Sequence, residues 1–146
     1  MDRHNVSNGP VSHAAERLAN AIVMATSSPA DPRTLAAWGQ RVGVSRGALR
    51  VWCAAARVSA RSSLDFLRLL RAVIQAQNGA WDLFGILDIV DERSLVRLLQ
   101  RGGMVPILDR TEPPSVDEFL KLQRFVENAD LVRAVSHRLQ QQRDVK

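Results

Sequence analysis

The sequence predicts an all-α fold, and three observations support this prediction. Apolar residues recur at helical spacing through most of the chain, capping residues precede these segments, and no competing strand pattern is present. A length of 146 residues is typical of one domain, and 46% hydrophobic with 24% charged residues is an ordinary globular composition. We therefore expect one helical domain with a substantial core.

The first helix is expected to run from Ser12, a capping residue, to about Thr26, because its apolar side chains fall on one face. A loop at 27–32 follows, where two serines and two prolines interrupt the helical pattern. A longer helix is expected over 62–77, where apolar residues again recur at helical spacing.

Two short helices with a tight turn between them are expected over 34–56. Thr34 is placed to cap the first, which covers 35–41, and Ser45 is placed to cap the second. Gly43 lies in the turn, where it can adopt a left-handed conformation. Two short helices joined by a three-residue turn are typical of a helix-turn-helix unit.

A second and weaker outline of this kind follows. It comprises a short helix over 81–87, a turn at 88–90 and a helix over 92–101 that Asp91 caps. Beyond it, Ser115 and the glutamate three residues later form a capping box. A break near residue 128 precedes a last helix over 130–142. The expected organisation is a flexible N-terminus (1–11), a helix-turn-helix domain (12–103), a connector (104–114) and a C-terminal helical extension (115–146). The domain comprises a first unit (12–61), a long helix (62–77) and a second unit (80–103).

Several protein classes are excluded by the composition. The single cysteine, Cys53, forms no intramolecular disulfide, and the three histidines show no zinc-ligand spacing, so we expect no metal and no cofactor. The chain contains no apolar run of membrane-spanning length and its first ten residues are polar, so we expect no membrane association and a cytoplasmic location. No arrangement of acids, histidines or nucleophiles predicts an enzyme.

Positive charge is concentrated in one part of the chain. The formal net charge is +5, yet residues 33–71 alone carry eight arginines against one acid, Asp65. A concentrated basic region predicts a polyanionic partner, most often nucleic acid. The alternative is a solvated surface without a partner.

The second short helix has the two faces that a major-groove helix requires. Its inner positions are apolar, and the outward positions are predicted to read bases because an arginine can donate two hydrogen bonds to guanine. The outward positions are Arg46, Gly47, Arg50, Val51 and Ala54. Of these, Arg50 is predicted to read a base, and Arg46 is predicted to reach a base or a phosphate.

Other polar residues nearby are predicted to contact DNA phosphates. Each has an alternative role, which is capping alone for the hydroxyl residues and solvation or pairing with Asp65 for the arginines. The predicted phosphate contacts are Thr34, Arg41, Ser45, Arg57, Arg61 and Arg68.

Aromatic and thiol side chains are expected to belong to the core. Trp38, Trp52 and Trp81 lie among apolar residues at helical spacing, which favours packing over stacking on single-stranded nucleic acid. Cys53 lies on the inner face of its helix, so we expect a buried hydrophobe and not a reactive thiol.

The run LAAWGQRVGVSRGAL over 35–49, with Val58-Ser59, Leu64 and LLRA over 69–72, resembles the first helix-turn-helix of AraC-type transcription regulators. Those proteins join two such units by a linker helix and insert both recognition helices into successive major grooves. The resemblance covers about residues 13–103. It implies that Gly47, Arg50 and Val51 face bases and that 62–77 is the linker helix.

The second unit departs from the family pattern, and the family's ligand-sensing domain has no counterpart here. Asp82, Asp88, Asp91 and Glu92 lie where a phosphate-facing surface is expected, and acids oppose DNA binding. Arg93 and Arg97 remain candidate contacts, with Arg101 near them. The second unit is expected to bind weakly or to be structural.

Two functions are weighed from these observations. The first is a sequence-specific regulator that binds double-stranded DNA through the helix over 45–56, with residues 115–142 serving a homodimer or a protein partner. In the alternative, the apolar stripe of 115–142 packs back on 81–99. The second function is a helical adaptor that keeps the fold and binds a protein through its C-terminal helices.

Overall fold

The computed structural model describes residues 12–77, 79, 81–102, 104, 112–122 and 129–145. The regions predicted as a flexible N-terminus, as most of the connector and as a break near residue 128 lie outside these ranges. Within them the chain is helical and contains no strand, so the all-α fold class is confirmed. The helices are α1 (His13–Ala25), α2 (Leu35–Val42), α3 (Arg46–Ala55), α4 (Ala60–Ala76), α5 (Leu83–Ile86), α6 (Glu92–Gly102), α7 (Val116–Leu122) and α8 (Ala129–Val145).

Side-chain caps determine where most of these helices begin. The hydroxyls of Ser12, Thr34 and Ser45 each accept a hydrogen bond from the amide three residues later, at 3.1, 3.0 and 3.0 Å. Asp91 and Ser115 do the same, both at 3.0 Å. Each cap satisfies an N–H group that has no partner within its helix. All five predicted caps are confirmed.

Two helix starts differ from the prediction because two further caps operate. α4 begins at Ala60, two residues earlier than predicted, since the Ser59 hydroxyl accepts from the amide three residues later at 2.9 Å. α5 is confined to Leu83–Ile86 and does not extend over the predicted 81–87, since Asp82 is its cap. Ser59 was interpreted from the sequence as part of a break and Asp82 as part of a helix, whereas each is the N-cap of the helix that follows it.

α4 is the central helix of the molecule. Most of its side chains are buried or partly buried, and Phe66, Leu67, Leu69 and Leu70 have no exposure to solvent. It packs against α1, α2, α3, α5, α6 and α7. A helix with neighbours from both halves of the chain lies at the centre of the packing. The helix predicted as a linker therefore forms the common core of both halves of the chain.

The C-terminal helices pack on the first half of the chain and not chiefly on 81–99. α8 lies along α1, and α7 packs on α4, where the rings of Phe119 and Phe66 stack with centroids 5.9 Å apart. The reason is that α1 is buried on more than one side, with Ala15, Leu18 and Val23 among its buried residues. α1 therefore needs a second helical partner, and α8 provides it.

A buried arginine connects the loop at 27–32 to α5. Arg71 is 2% exposed, and its guanidinium donates hydrogen bonds to the carbonyls of Ser28 (2.9 Å), Pro29 (3.1 Å) and Ile86 (2.8 Å). These bonds satisfy donors of the buried guanidinium and also carbonyl groups that have no partner within a helix.

No helix within the described ranges has the length and hydropathy needed to cross a lipid bilayer.

Candidate nucleic-acid interface

The turn between α2 and α3 is held by two glycines. Gly43 caps α2 at φ 79°, which confirms the predicted left-handed conformation. The N–H of Val44 donates to the carbonyl of Gly39 at 2.9 Å. A Cβ atom on Gly39 would lie 2.4 Å from the carbonyl oxygen of Val44, so only glycine permits this close approach. The two glycines thereby fix where α3 leaves α2.

α3 has one buried face and one exposed face. Leu49 and Cys53 on the inner face are 0% and 1% exposed, and they belong to the same core cluster as α1 and α4. On the other side, all four predicted base-reading residues are exposed, and Val51 is 65% exposed. Leu49 and Val51 therefore mark opposite sides of one helix. The exposed residues on this outward face are Arg46, Gly47, Arg50, Val51 and Ala54.

The predicted hydroxyl contacts, Thr34 and Ser45, are exposed caps at the starts of α2 and α3. Their oxygens accept backbone hydrogen bonds, which confirms their capping role. Each hydroxyl hydrogen is left to donate to another group, since a hydroxyl is both an acceptor and a donor. Contact of these two residues with phosphate stays a prediction.

The eight arginines of residues 33–71 divide into two groups. Six are exposed, and two face the protein interior. The exposed group is Arg33, Arg41, Arg46, Arg50, Arg57 and Arg61, and the interior group is Arg68 and Arg71. The surface charge of this segment therefore comes from six arginines.

Arg68 is occupied by an internal ion pair, which does not favour its predicted contact with phosphate. Its Nε donates to Asp31 Oδ2 at 2.9 Å, and the two side chains are 12% and 0% exposed. Burial raises the pKa of Asp31 above its ordinary value, although the charges of Arg68 and Arg71 pull it down. Desolvation of the Asp31 carboxylate is therefore the larger of the two effects on its pKa.

Asp65 does not pair with Arg41, Arg57, Arg61 or Arg68, which corrects the alternative considered from the sequence. It accepts two hydrogen bonds from Arg101, at 2.8 and 3.1 Å. This pairing joins α4 to α6, a contact that depends on how the two helices pack. Arg101 therefore takes part in an ion pair within the protein.

Arg41 and Arg57 are exposed, and each has a local feature that sequence did not reveal. One Nη of Arg41 donates to the Ser27 hydroxyl at 3.2 Å, which links α2 to the end of α1. Arg57 has φ 62° after α3, where glycine is usual, and the Val58 N–H donates to the Cys53 carbonyl at 3.0 Å. An arginine in this strained position is costlier than glycine by about 1 kcal/mol.

The tryptophans pack within the protein. Trp38 is fully buried, and its indole N–H donates to the Ala21 carbonyl at 3.0 Å, which confirms the core assignment. Trp52 and Trp81 are partly buried against the same core. The guanidinium of Arg17 lies over the Trp52 ring, 5.6 Å from its centroid. Arg17 therefore places a further positive charge beside α3. The sequence did not indicate this position, because it depends on the packing of α1 against α3.

Arg93 and Arg97 are exposed on α6, and the carboxylate of Asp91 lies near both. Asp91 accepts hydrogen bonds from the amide and hydroxyl of Ser94, both at 3.0 Å. These bonds, with smaller effects of Arg93 and Arg97, lower the pKa of Asp91. An ionised carboxylate beside the two arginines offsets their attraction for phosphate.

The thiol of Cys53 lies in the protein interior. Burial raises the pKa of Cys53, which the hydroxyl of Ser63 only partly offsets, so the thiol stays protonated. The described part of the chain contains no cluster of three or more histidine, cysteine or acidic side chains that could hold a metal ion.

Comparisons with models of protein families, with curated proteins and with solved structures find no match to this chain. The resemblance to AraC-type regulators therefore rests on the sequence motifs alone and stays a prediction.

Proposed function

We propose that the chain is a sequence-specific, double-stranded DNA-binding regulator that inserts α3 into the major groove through a helix-turn-helix formed by α2 and α3. The observation that carries this proposal is the exposure of the whole outward face of α3 beside its buried inner face. A helix can enter a groove about 12 Å wide only if its leading face is free of the protein body.

The chemistry of that face suits base reading. Arg50 and Arg46 lie one turn apart, and a guanidinium can donate two hydrogen bonds to O6 and N7 of guanine. Val51 offers an exposed apolar group for a thymine methyl group. Gly47 has open space around its Cα, with only the Ser45 hydroxyl within 4 Å of an added Cβ, so the DNA can approach the helix closely there.

The charge of the surrounding surface supports the same function. Between residues 17 and 81 the sequence contains only two acids, Asp31 and Asp65, and both are buried in ion pairs with arginines outside the exposed group. The six exposed arginines therefore meet no local carboxylate from this segment. A surface of this kind attracts a polyanion and gives binding that weakens with salt.

The proposed binding is strongest through the first unit. The second unit exposes the acids Asp82, Asp88, Asp91 and Glu92. Its Arg101 is paired with Asp65. The C-terminal apolar side chains Leu131 and Val135 are buried against the same chain, so a homodimer through 115–142 would have to use other residues.

The function is tested by binding purified protein to a random double-stranded DNA pool at about 50 and 200 mM salt and sequencing the retained fraction. An enriched motif supports the proposal. Retention without a motif contradicts sequence-specific reading, and absence of retention at both salt concentrations contradicts DNA binding itself.

The role of Arg50 is tested by Arg50→Ala, with Arg97→Ala as a control that removes the same charge from the second unit. Arg50→Ala is expected to cost about 1 to 3 kcal/mol of specific affinity and to relax preference at one base pair. Arg97→Ala is expected to change affinity slightly and equally on all sequences. Equal losses in both variants would show that Arg50 contributes only charge.

The helical adaptor is a second candidate function, favoured by one surface of the second unit. Val90 is 97% exposed and Phe84 is 39% exposed. The Ile89 N–H donates to the Phe84 carbonyl at 3.1 Å, which closes the turn after α5. Exposed apolar side chains among acids are typical of a protein-binding surface. Loss of all DNA retention in the pool experiment, with partner binding insensitive to Arg50→Ala, would favour this function.

A further inference from the structure

An open cavity of about 860 Å³ lies where α1, α4, α7 and α8 meet. Its volume is within the range of sites that bind small organic molecules. It is lined by residues of these four helices and of the segments that cap them. The cavity is therefore a second feature of the molecule, separate from the outward face of α3.

The lining of this cavity combines an apolar wall with positive charge. Val23, Ile74 and Leu139 provide apolar surface from three different helices. Arg138 and Arg143 both line it from α8. The lining carries one carboxylate, that of Asp117, so its formal charge is positive.

The two arginines are able to bind an acidic group. One Nη of Arg138 donates to Asn20 Oδ1 at 2.5 Å, which orients the guanidinium across the space between α8 and α1. A guanidinium has five N–H donors, so this bond leaves others for a ligand. Arg143, one helical turn and a residue further on, is exposed at the cavity wall.

We propose that this cavity binds a small amphipathic anion. Its apolar body lies against Val23, Ile74 and Leu139, and its carboxylate, sulfonate or phosphate group binds Arg138 and Arg143. Charge-assisted hydrogen bonds to a guanidinium fix such a group more firmly than neutral ones.

The cavity is connected to the candidate DNA interface through one residue. Ser27 lines the cavity and also accepts a hydrogen bond from Arg41 at 3.2 Å. The Ser27 hydroxyl itself donates to the Met24 carbonyl at 3.0 Å. A ligand that accepts this hydrogen in place of Met24 changes the environment of Arg41, which is a proposed phosphate contact. This second step rests on the proposed function, whereas the binding site itself does not.

The site is tested with an anionic naphthalene dye, 1-anilinonaphthalene-8-sulfonate, whose fluorescence rises in apolar surroundings. We expect saturable binding to the folded protein, competition by octanoate, and much weaker competition by 1-octanol, which lacks the charge. Absence of saturable binding, or equal competition by the two compounds, overturns the proposal.

Matched variants locate the dye. Gln142→Trp adds bulk at the cavity wall, and Gln140→Trp adds the same bulk at an exposed position of α8 outside it. Arg143→Gln is expected to weaken dye binding roughly tenfold, and Arg97→Gln serves as its control. Circular dichroism confirms that each variant is folded. Dye binding that is unchanged by both cavity variants places the dye elsewhere and overturns the proposal.

Octanoate is then added to the DNA titration. A change in DNA affinity that Ser27→Ala abolishes supports the connection to Arg41, and unchanged affinity overturns that connection while the ligand site stands. Absence of DNA binding without octanoate overturns the proposed function alone, because the dye experiments use no DNA.

Discussion

Three glycines spaced four residues apart around α2 and α3 are expected to respond differently to the same substitution. An added Cβ would lie 2.4 Å from the Val44 carbonyl oxygen at Gly39. Gly43 has open space but a φ of 79°, and Gly47 has neither constraint, with only the Ser45 hydroxyl at 3.9 Å. Alanine therefore tests close packing at the first, backbone conformation at the second and helix propensity at the third.

The expected magnitudes follow from these constraints. At Gly39 the opposing atom is part of the backbone and cannot rotate away, so α2 and the turn must separate. Overpacking of this kind costs about 1 to 3 kcal/mol, which exceeds the gain in helix propensity of about 1 kcal/mol at most. Gly43→Ala is expected to cost about 1 kcal/mol because the left-handed conformation disfavours a side chain. Gly47→Ala is expected to stabilise the protein by up to about 1 kcal/mol.

Urea denaturation followed by circular dichroism measures the three free energies of unfolding under one condition. The DNA-binding assay on the same proteins gives a second result. Gly47→Ala is expected to weaken DNA binding while it stabilises the fold, because a methyl group occupies the space through which DNA approaches α3. A Gly39→Ala variant as stable as the original protein would refute the packing argument, and unchanged DNA affinity in Gly47→Ala would refute close approach at that residue.

Three further outcomes are expected. Arg57→Gly should raise stability by about 1 kcal/mol in thermal denaturation, since glycine tolerates the positive φ, yet weaken DNA binding; stronger or equal DNA binding would remove Arg57 from the interface. Because burial raises the folded-state pKa of Asp31, its contribution to stability is fully present below the unfolded pKa and is lost as pH rises through the folded pKa. Asp31→Asn should flatten this slope above about pH 4 in urea denaturation, and an unchanged slope would contradict the raised pKa. Cys53 should resist a thiol reagent at neutral pH until urea unfolds the protein, and rapid modification of the folded protein would contradict its burial.

Local signals in the sequence predicted the capped helix starts at Ser12, Thr34 and Ser45 and the left-handed turn at Gly43. These features depend on neighbours a few residues away, so the sequence contains what is needed to infer them. The outward face of α3 was predictable for the same reason, because a 3.6-residue period assigns faces without reference to the rest of the chain. Ser59 was missed, because a serine within an apparent break is not distinguished from a cap by sequence alone.

The sequence by itself determined the all-α fold class, the order of the helices and the residues that α3 turns away from the core. Only the tertiary structure decided which charges remain at the surface, because Arg68 and Arg101 are separated from their partners Asp31 and Asp65 by more than thirty residues. The tertiary structure also determined the close approach of the Val44 carbonyl oxygen to Gly39, which requires glycine at that position. Periodicity describes one helix at a time, whereas ion pairing, close contacts and cavities depend on which helices meet, and that is set by the packing of the whole chain.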